Sequence, residues 1–261
     1  MIRAWLDFST FGIFLSLGIL YFGTALLLGV LIFRSPLKKP VQSLTGIVAP
    51  FFSASAILFA LLVGFLANDI SDRSRQANRA IQAEASELHN VYALSVAAVA
   101  DMAAIREALK GYVDSAITNE WPAMAEGRES LRTSAAYDEL LRRISDPSIA
   151  KSSGTAVSAA ILNAAVRAGN SRNDRLALAL DHTNDLKWLV VILLALITEV
   201  SIALVHLEKP RACMTALLVF ATAVVITLGF MALQEYPFYG AFRLSPAPLE
   251  AVRVLSGLVA L

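Results

Sequence analysis

Uncharged, mostly apolar residues run from Phe8 to Phe33 and stop at Arg34. They resume from Pro40 to Asn68, stop at Asp69, and return as Trp188–Leu207 and Ala212–Gln234. A helix needs roughly 20 residues to cross about 30 Å of hydrocarbon, and each stretch is long enough. Four membrane spans are therefore predicted. Only Arg34–Lys39 separates spans one and two, and only Glu208–Arg211 separates spans three and four. Each pair is predicted to be a helical hairpin. An even number of spans puts both termini and the middle of the chain on one side of the membrane.

Between the hairpins the pattern changes. From Asp69 no Gly or Pro occurs until Gly111, so span two is expected to continue as a helix into water. Two seven-residue series follow, Ile81, Leu88, Ser95, Met102, Leu109, Ala116 and Ala77, Glu84, Val91, Ala98, Ile105, Tyr112. Together they form the seam of a helix packed in a bundle. Asn119-Glu120-Trp121-Pro122 reads as a helix start, capped by Asn119 or Thr118, and that helix is expected to run to about Ile144. Asp146-Pro147 ends it, and another begins at Ser153-Gly154. That last helix is expected to join span three, with Gly169-Asn170 a point of interruption. After span four, Ser245-Pro246-Ala247-Pro248 opens a short amphipathic helix. The predicted fold is all-α: four transmembrane helices in two hairpins with a central extramembrane helical bundle. Its divisions are 1–68, a first transmembrane hairpin; 69–187, the helical domain; 188–234, a second hairpin; and 235–261, a C-terminal interfacial segment.

Composition supports lipid as a solvent. Apolar residues make up 57% of the chain, only 16% is charged and mean hydropathy is +0.62, far from a soluble domain's balance of about half and a quarter. The net charge of +1 offers no clustered basic surface for nucleic acid. The uncharged run after Asp7 is too long for a cleavable signal core. Trp188 and Tyr236 suit an interfacial aromatic belt. Basic residues crowd the short loops (Arg34, Lys38, Lys39, Lys209, Arg211) but also the opposite ends of the spans, so charge alone leaves orientation open.

Catalytic signatures are absent. The three histidines lack metal-ligand spacing, and neither a phosphate loop nor a nucleophile elbow occurs. The single cysteine, Cys213, reads as a packed thiol. No enzyme activity, metal or cofactor is expected.

Polar residues in apolar settings are the candidates instead. Glu84 interrupts the seam, and a carboxylate there is costly unless paired. Glu84 lies 15 residues after Asp69 and Arg172 lies 15 before Lys187. In antiparallel helices both would stand about 22 Å from the membrane boundary. A pair with Arg172 or with Arg175 is predicted; the alternatives are a solvated Glu84 or an ion site. Glu199 falls within span three, where a carboxylate faces a bundle interior or an aqueous path. Thr198, Ser201, Thr222 and Thr227 are candidate partners; an ion path is the other reading. Span two carries a small-residue stripe, Ser53, Ala56, Ala60, Gly64 and Ala67, opposite Phe51, Leu58, Leu62 and Phe65. Either the small face packs on a neighbouring span, or span two lines an oligomer axis with an apolar constriction.

Three stretches carry a resemblance: Leu61–Leu94, Gly111–Arg128 and Glu235–Glu250. They resemble a family of bacterial four-span membrane proteins described as bestrophin-like. Its members end span two in a GF motif, followed by an EA-rich helix, an E-W-P element and a P-F-x-G element after the last span. The matching positions are Gly64-Phe65, Glu84-Ala85, Glu120-Trp121-Pro122 and Pro237-Phe238-Gly240. A more distant likeness of layout is to bestrophins proper, pentameric anion channels whose second span lines a pore with an apolar neck. The resemblance implies a multi-pass protein of the bacterial inner membrane with a cytoplasmic central domain. It also implies a homo-oligomer embedded in lipid and small ions as the species conducted. A non-conducting sensor or scaffold, its bundle coupled to the spans, is the alternative.

Overall fold

The structure is a computed structural model that describes residues 5–36, 38–44, 49–181 and 185–258. Every regular element among them is helical. They divide into two compact units. Residues 1–72 and 183–235 form one, and 73–182 with 236–261 form the other.

The first unit holds the membrane spans. Helix α1, Thr10–Phe33, is span one. The Ser9 side chain accepts from the amide of Gly12 and caps it. A short helix α2, Lys38–Gln42, follows. Span two opens α3, Ala49–Ala97, and so begins later than Pro40; residues 45–48 lie outside the described set. Pro50 stands in its first turn, where a missing N–H costs nothing. Spans three and four are helices Asp185–Val205 and Pro210–Leu233. Span one packs on span four. Phe14 and Phe230 meet edge-to-face at 5.9 Å, and Gly229 admits the Phe14 ring where any Cβ would collide with it.

Trp188 does not face lipid. It is fully buried, stacks edge-on against Trp5 at 5.6 Å and donates from its indole nitrogen to Glu235 at 3.1 Å. A buried indole N–H needs an acceptor, and Glu235 supplies one. Cys213 is buried and free.

The second unit is the helical bundle. Here α3 ends at Ala97 rather than continuing to Gly111, and α4 starts afresh as Ala103–Ser115. No Gly or Pro makes this break. Arg106 donates to the Ser95 carbonyl at 3.0 Å, and Asp101 accepts from the amide of Ala103 at 2.9 Å. Side chains thus satisfy backbone groups that a continuing helix would have paired. The predicted seam survives the break. Ile81, Leu88 and Ser95 are buried from α3, and Met102, Leu109 and Ala116 from the residues after it.

Asn119 and Thr118 cap nothing. Residues Ala116–Glu120 form a π turn that leads without interruption into α5, Trp121–Ala125. Pro122 has no N–H and would press its ring on an ordinary i−4 carbonyl; the widened turn directly before it relieves that conflict. Gly127, at φ +67°, then ends the segment. Ser130 caps α6, Leu131–Ile144. Asp146 caps α7, Pro147–Ser153, and α8 runs Thr155–Leu180.

Gly169 does not interrupt α8. A side chain there would overlap Tyr137, whose hydroxyl donates to the Ala165 carbonyl at 3.0 Å. The glycine is a close-approach point, not a breaker. Helix α8 stops before span three: Asp181 is extended, at ψ 151°, and Arg73 donates to its carbonyl. The C-terminal helix, Ala247–Leu258, seats Leu249 and Val252 in the bundle core. Of the two placements open to an amphipathic helix here, on the membrane or over the bundle, these residues take the second.

Candidate functional site

The centre of the bundle is polar. Glu84 of α3 is fully buried, and Arg175 of α8 reaches it through Nε at 2.7 Å and Nη2 at 3.0 Å. The same Nη2 donates to Glu120 at 2.9 Å. Arg172, one turn earlier on α8, pairs with Glu120 instead, through Nε at 3.1 Å and Nη2 at 2.5 Å. Of the two partners predicted for Glu84, Arg175 is the one in contact. Tyr112 of α4 donates to Glu84 at 2.5 Å, and Ser134 of α6 accepts from Arg172 at 3.0 Å.

Two carboxylates and two guanidiniums thus form one closed lattice of balanced charge. Each buried charge is costly alone, and bidentate arginine geometry recovers the cost. Burial and the nearby Glu84 carboxylate push the Tyr112 hydroxyl well above its ordinary range, so it stays a donor. Burial alone would make Arg175 easier to deprotonate; Glu84 and Glu120 reverse that and hold it charged. The Arg175 guanidinium also lies 5.4 Å from the centroid of Trp121, a cation–π contact.

Trp121 in turn meets Phe238 edge-on at 5.6 Å. Gly240, at φ +86°, turns the chain just after it. Three elements far apart in sequence therefore converge: Glu84, Glu120-Trp121 and Pro237-Phe238. Pro122 is exposed beside them. Along the sequence Glu120 stood out as part of a helix start and of the E-W-P element, not as a partner for an arginine. A second signal was available, since Glu120 stands four residues beyond Ala116 on the buried seam.

The fourth element, Gly64-Phe65, lies in the other unit, exposed on span two. So do Phe51 and Leu58, and these three bulky residues are spaced by seven along one line of the helix. The small stripe is no better covered: Ser53, Ala60 and Gly64 are exposed. The face that packs within the chain is a third one, running through Phe52, Phe59, Leu66 and Ile70.

Glu199 is fully buried in span three, but its partner is none of the four hydroxyls predicted. Thr24 of span one contacts it at 2.5 Å. Thr198, Ser201 and Thr222 instead bond carbonyls one turn back in their own helices, the usual recourse of a hydroxyl inside a membrane helix. Among the described residues, no group of three or more metal-ligating side chains gathers.

A family model described as Bestrophin-like domain matches residues 19–249. No curated protein matches the chain. Among solved structures, a bacterial bestrophin homologue from Klebsiella pneumoniae is similar in two mutant forms. One superposes with a TM-score of 0.70 at 12% identity, covering 95% of this chain and 98% of the homologue. The other gives 0.69 at 12% identity, covering 96% and 97%. A further structure, described only as a membrane protein, gives 0.69 at 11% identity over 93% and 97%. At these identities the likeness is one of fold.

Proposed function

The chain belongs to the bestrophin-like family, and we propose that copies of it assemble around span two as an ion channel of the bacterial inner membrane. The helical unit then lies in the cytoplasm. The observation that supports this most is the coverage of the spans. Only 6% of the apolar window of span two is buried within the chain, against 44% for spans three and four. A helix so bare is suited to contacts with other copies. The line Phe51, Leu58, Phe65 then turns to the axis, where apolar rings gate by size and dewetting. The small stripe, on the side of span two away from that axis, lets other spans pack closely behind it.

In this reading the buried lattice is a positioning device. Glu84 and the proposed pore line sit on one 49-residue helix, so the lattice holds that helix at one rotation. Glu199 serves as a clamp between spans one and three rather than as part of the span-two path.

Liposome flux and planar-bilayer recording on the purified full chain test the proposal, with particle imaging in nanodiscs for copy number. Unitary currents are expected, increased by Leu58→Asn, which wets the narrow line. Silence across pH, calcium and voltage would reject conduction. A monomer or dimer would favour the second reading, a sensor whose helix α3 relays motion without conducting.

A further inference from the structure

A groove in the membrane unit opens between spans two, three and four. Phe52 of span two forms one wall, and His206 stands at the end of span three. Span four supplies Arg211 at the mouth, with Ala216 and Ala223 lining the length of the groove and the exposed Val219 at its edge. We infer that this groove binds an anionic phospholipid, its phosphate at Arg211 and one acyl chain along the floor.

The dimensions fit. Arg211 to Ala223 is twelve residues of one helix, or about 18 Å, close to the half-thickness of about 15 Å of a hydrocarbon core. The polar groups gather at one end, with Arg211, His206 and Thr215 at the mouth and apolar residues along the rest. Ala216 and Ala223 are small, so the row on span four is a furrow rather than a ridge.

The charge selects the headgroup. Arg211 is exposed and forms no ion pair among the described residues. His206 engages the Ile202 carbonyl through Nδ1 at 2.9 Å, which leaves Nε2 for another partner. A second copy of the chain is the competing occupant, and its charge is wrong. The loops at this membrane face hold Arg34, Lys38, Lys39, Lys209 and Arg211 against the single acid Glu208. Copy against copy would set cation mostly against cation, whereas a phosphate accepts the guanidinium's paired N–H groups.

Native mass spectrometry of the full chain released from nanodiscs of mixed phosphatidylcholine and phosphatidylglycerol tests this. The wild type is expected to retain phosphatidylglycerol in preference. Arg211→Gln lowers that preference about tenfold, as loss of a charged hydrogen bond implies, and Arg211→Lys keeps much of it. Ala216→Phe, which fills the furrow, removes the retained lipid of both kinds. Unchanged enrichment in Arg211→Gln would overturn the inference, as would lipid retention in Ala216→Phe. Oxidative cross-linking between copies through Val219→Cys, at the groove's exposed edge, would also overturn it, because another copy would then cover the groove. These readouts do not depend on conduction, so a silent protein leaves them intact.

Discussion

Arg175 holds Glu84 with two nitrogens, at 2.7 and 3.0 Å, where both side chains are wholly out of reach of water. The contact joins α3 to α8 across 91 residues of sequence. Because Arg175 also donates to Glu120, its removal takes the only guanidinium from Glu84 and leaves Glu120 with Arg172 alone. Breaking a buried pair from one side costs about 3–5 kcal/mol. Arg175→Ala is expected at the upper end of that range and Arg172→Ala below it, since Arg172 serves Glu120 alone among the carboxylates. Thermal unfolding in detergent measures both, and equal melting temperatures would contradict this ranking.

Tyr112 adds a pH dependence. Its folded pKa is raised, so the folded state keeps the phenolic proton where the unfolded chain gives it up. That stabilisation is complete below the unfolded value of about 10 and is lost as pH climbs above it. Melting temperature should therefore fall on the alkaline side. Tyr112→Phe should be less stable at neutral pH by about 1–3 kcal/mol, the cost of leaving Glu84 one donor short. Its alkaline decline should be shallower, as pH-resolved melting would show.

Two glycines in helices are predicted to respond oppositely to alanine. At Gly169 the new methyl collides with the Tyr137 ring, and such overpacking costs about 1–3 kcal/mol. At Gly111, inside α4, the methyl meets nothing within 4 Å, and Gly→Ala in an open helix stabilises by about 0.5–1 kcal/mol. Chemical denaturation of the two variants checks the contrast in sign.

Thr24 and Glu199 join spans one and three. Thr24→Val keeps the shape and removes the hydroxyl, at an expected cost of about 1 kcal/mol. Glu199→Gln keeps a group that can bond Thr24 and should fold like the parent. Glu199→Leu, with no polar atom to offer, should lose the link as Thr24→Val does. Detergent-stability assays on the three variants would separate a clamp from a residue with no structural part.

Much of the architecture was legible along the chain because lipid imposes a simple demand. A segment with no charge over about 20 residues has few other solvents, so the four spans were readable to within a few residues, except where span two begins. The seam through Ile81, Leu88, Met102 and Leu109 was readable for a similar reason: burial repeats with the helical period. Tertiary structure decided what period does not encode. The turn after Ala97 is made by Arg106 and Asp101 reaching backbone groups, with no Gly or Pro to announce it. The π turn before Pro122 brings Glu120 inward, and so Arg172 found a carboxylate other than Glu84. Thr24 reached Glu199 from 175 residues away. Periodicity reports which face of a helix leaves water; which side chain waits opposite depends on how helices are set against one another, and that is a property of the packed molecule alone.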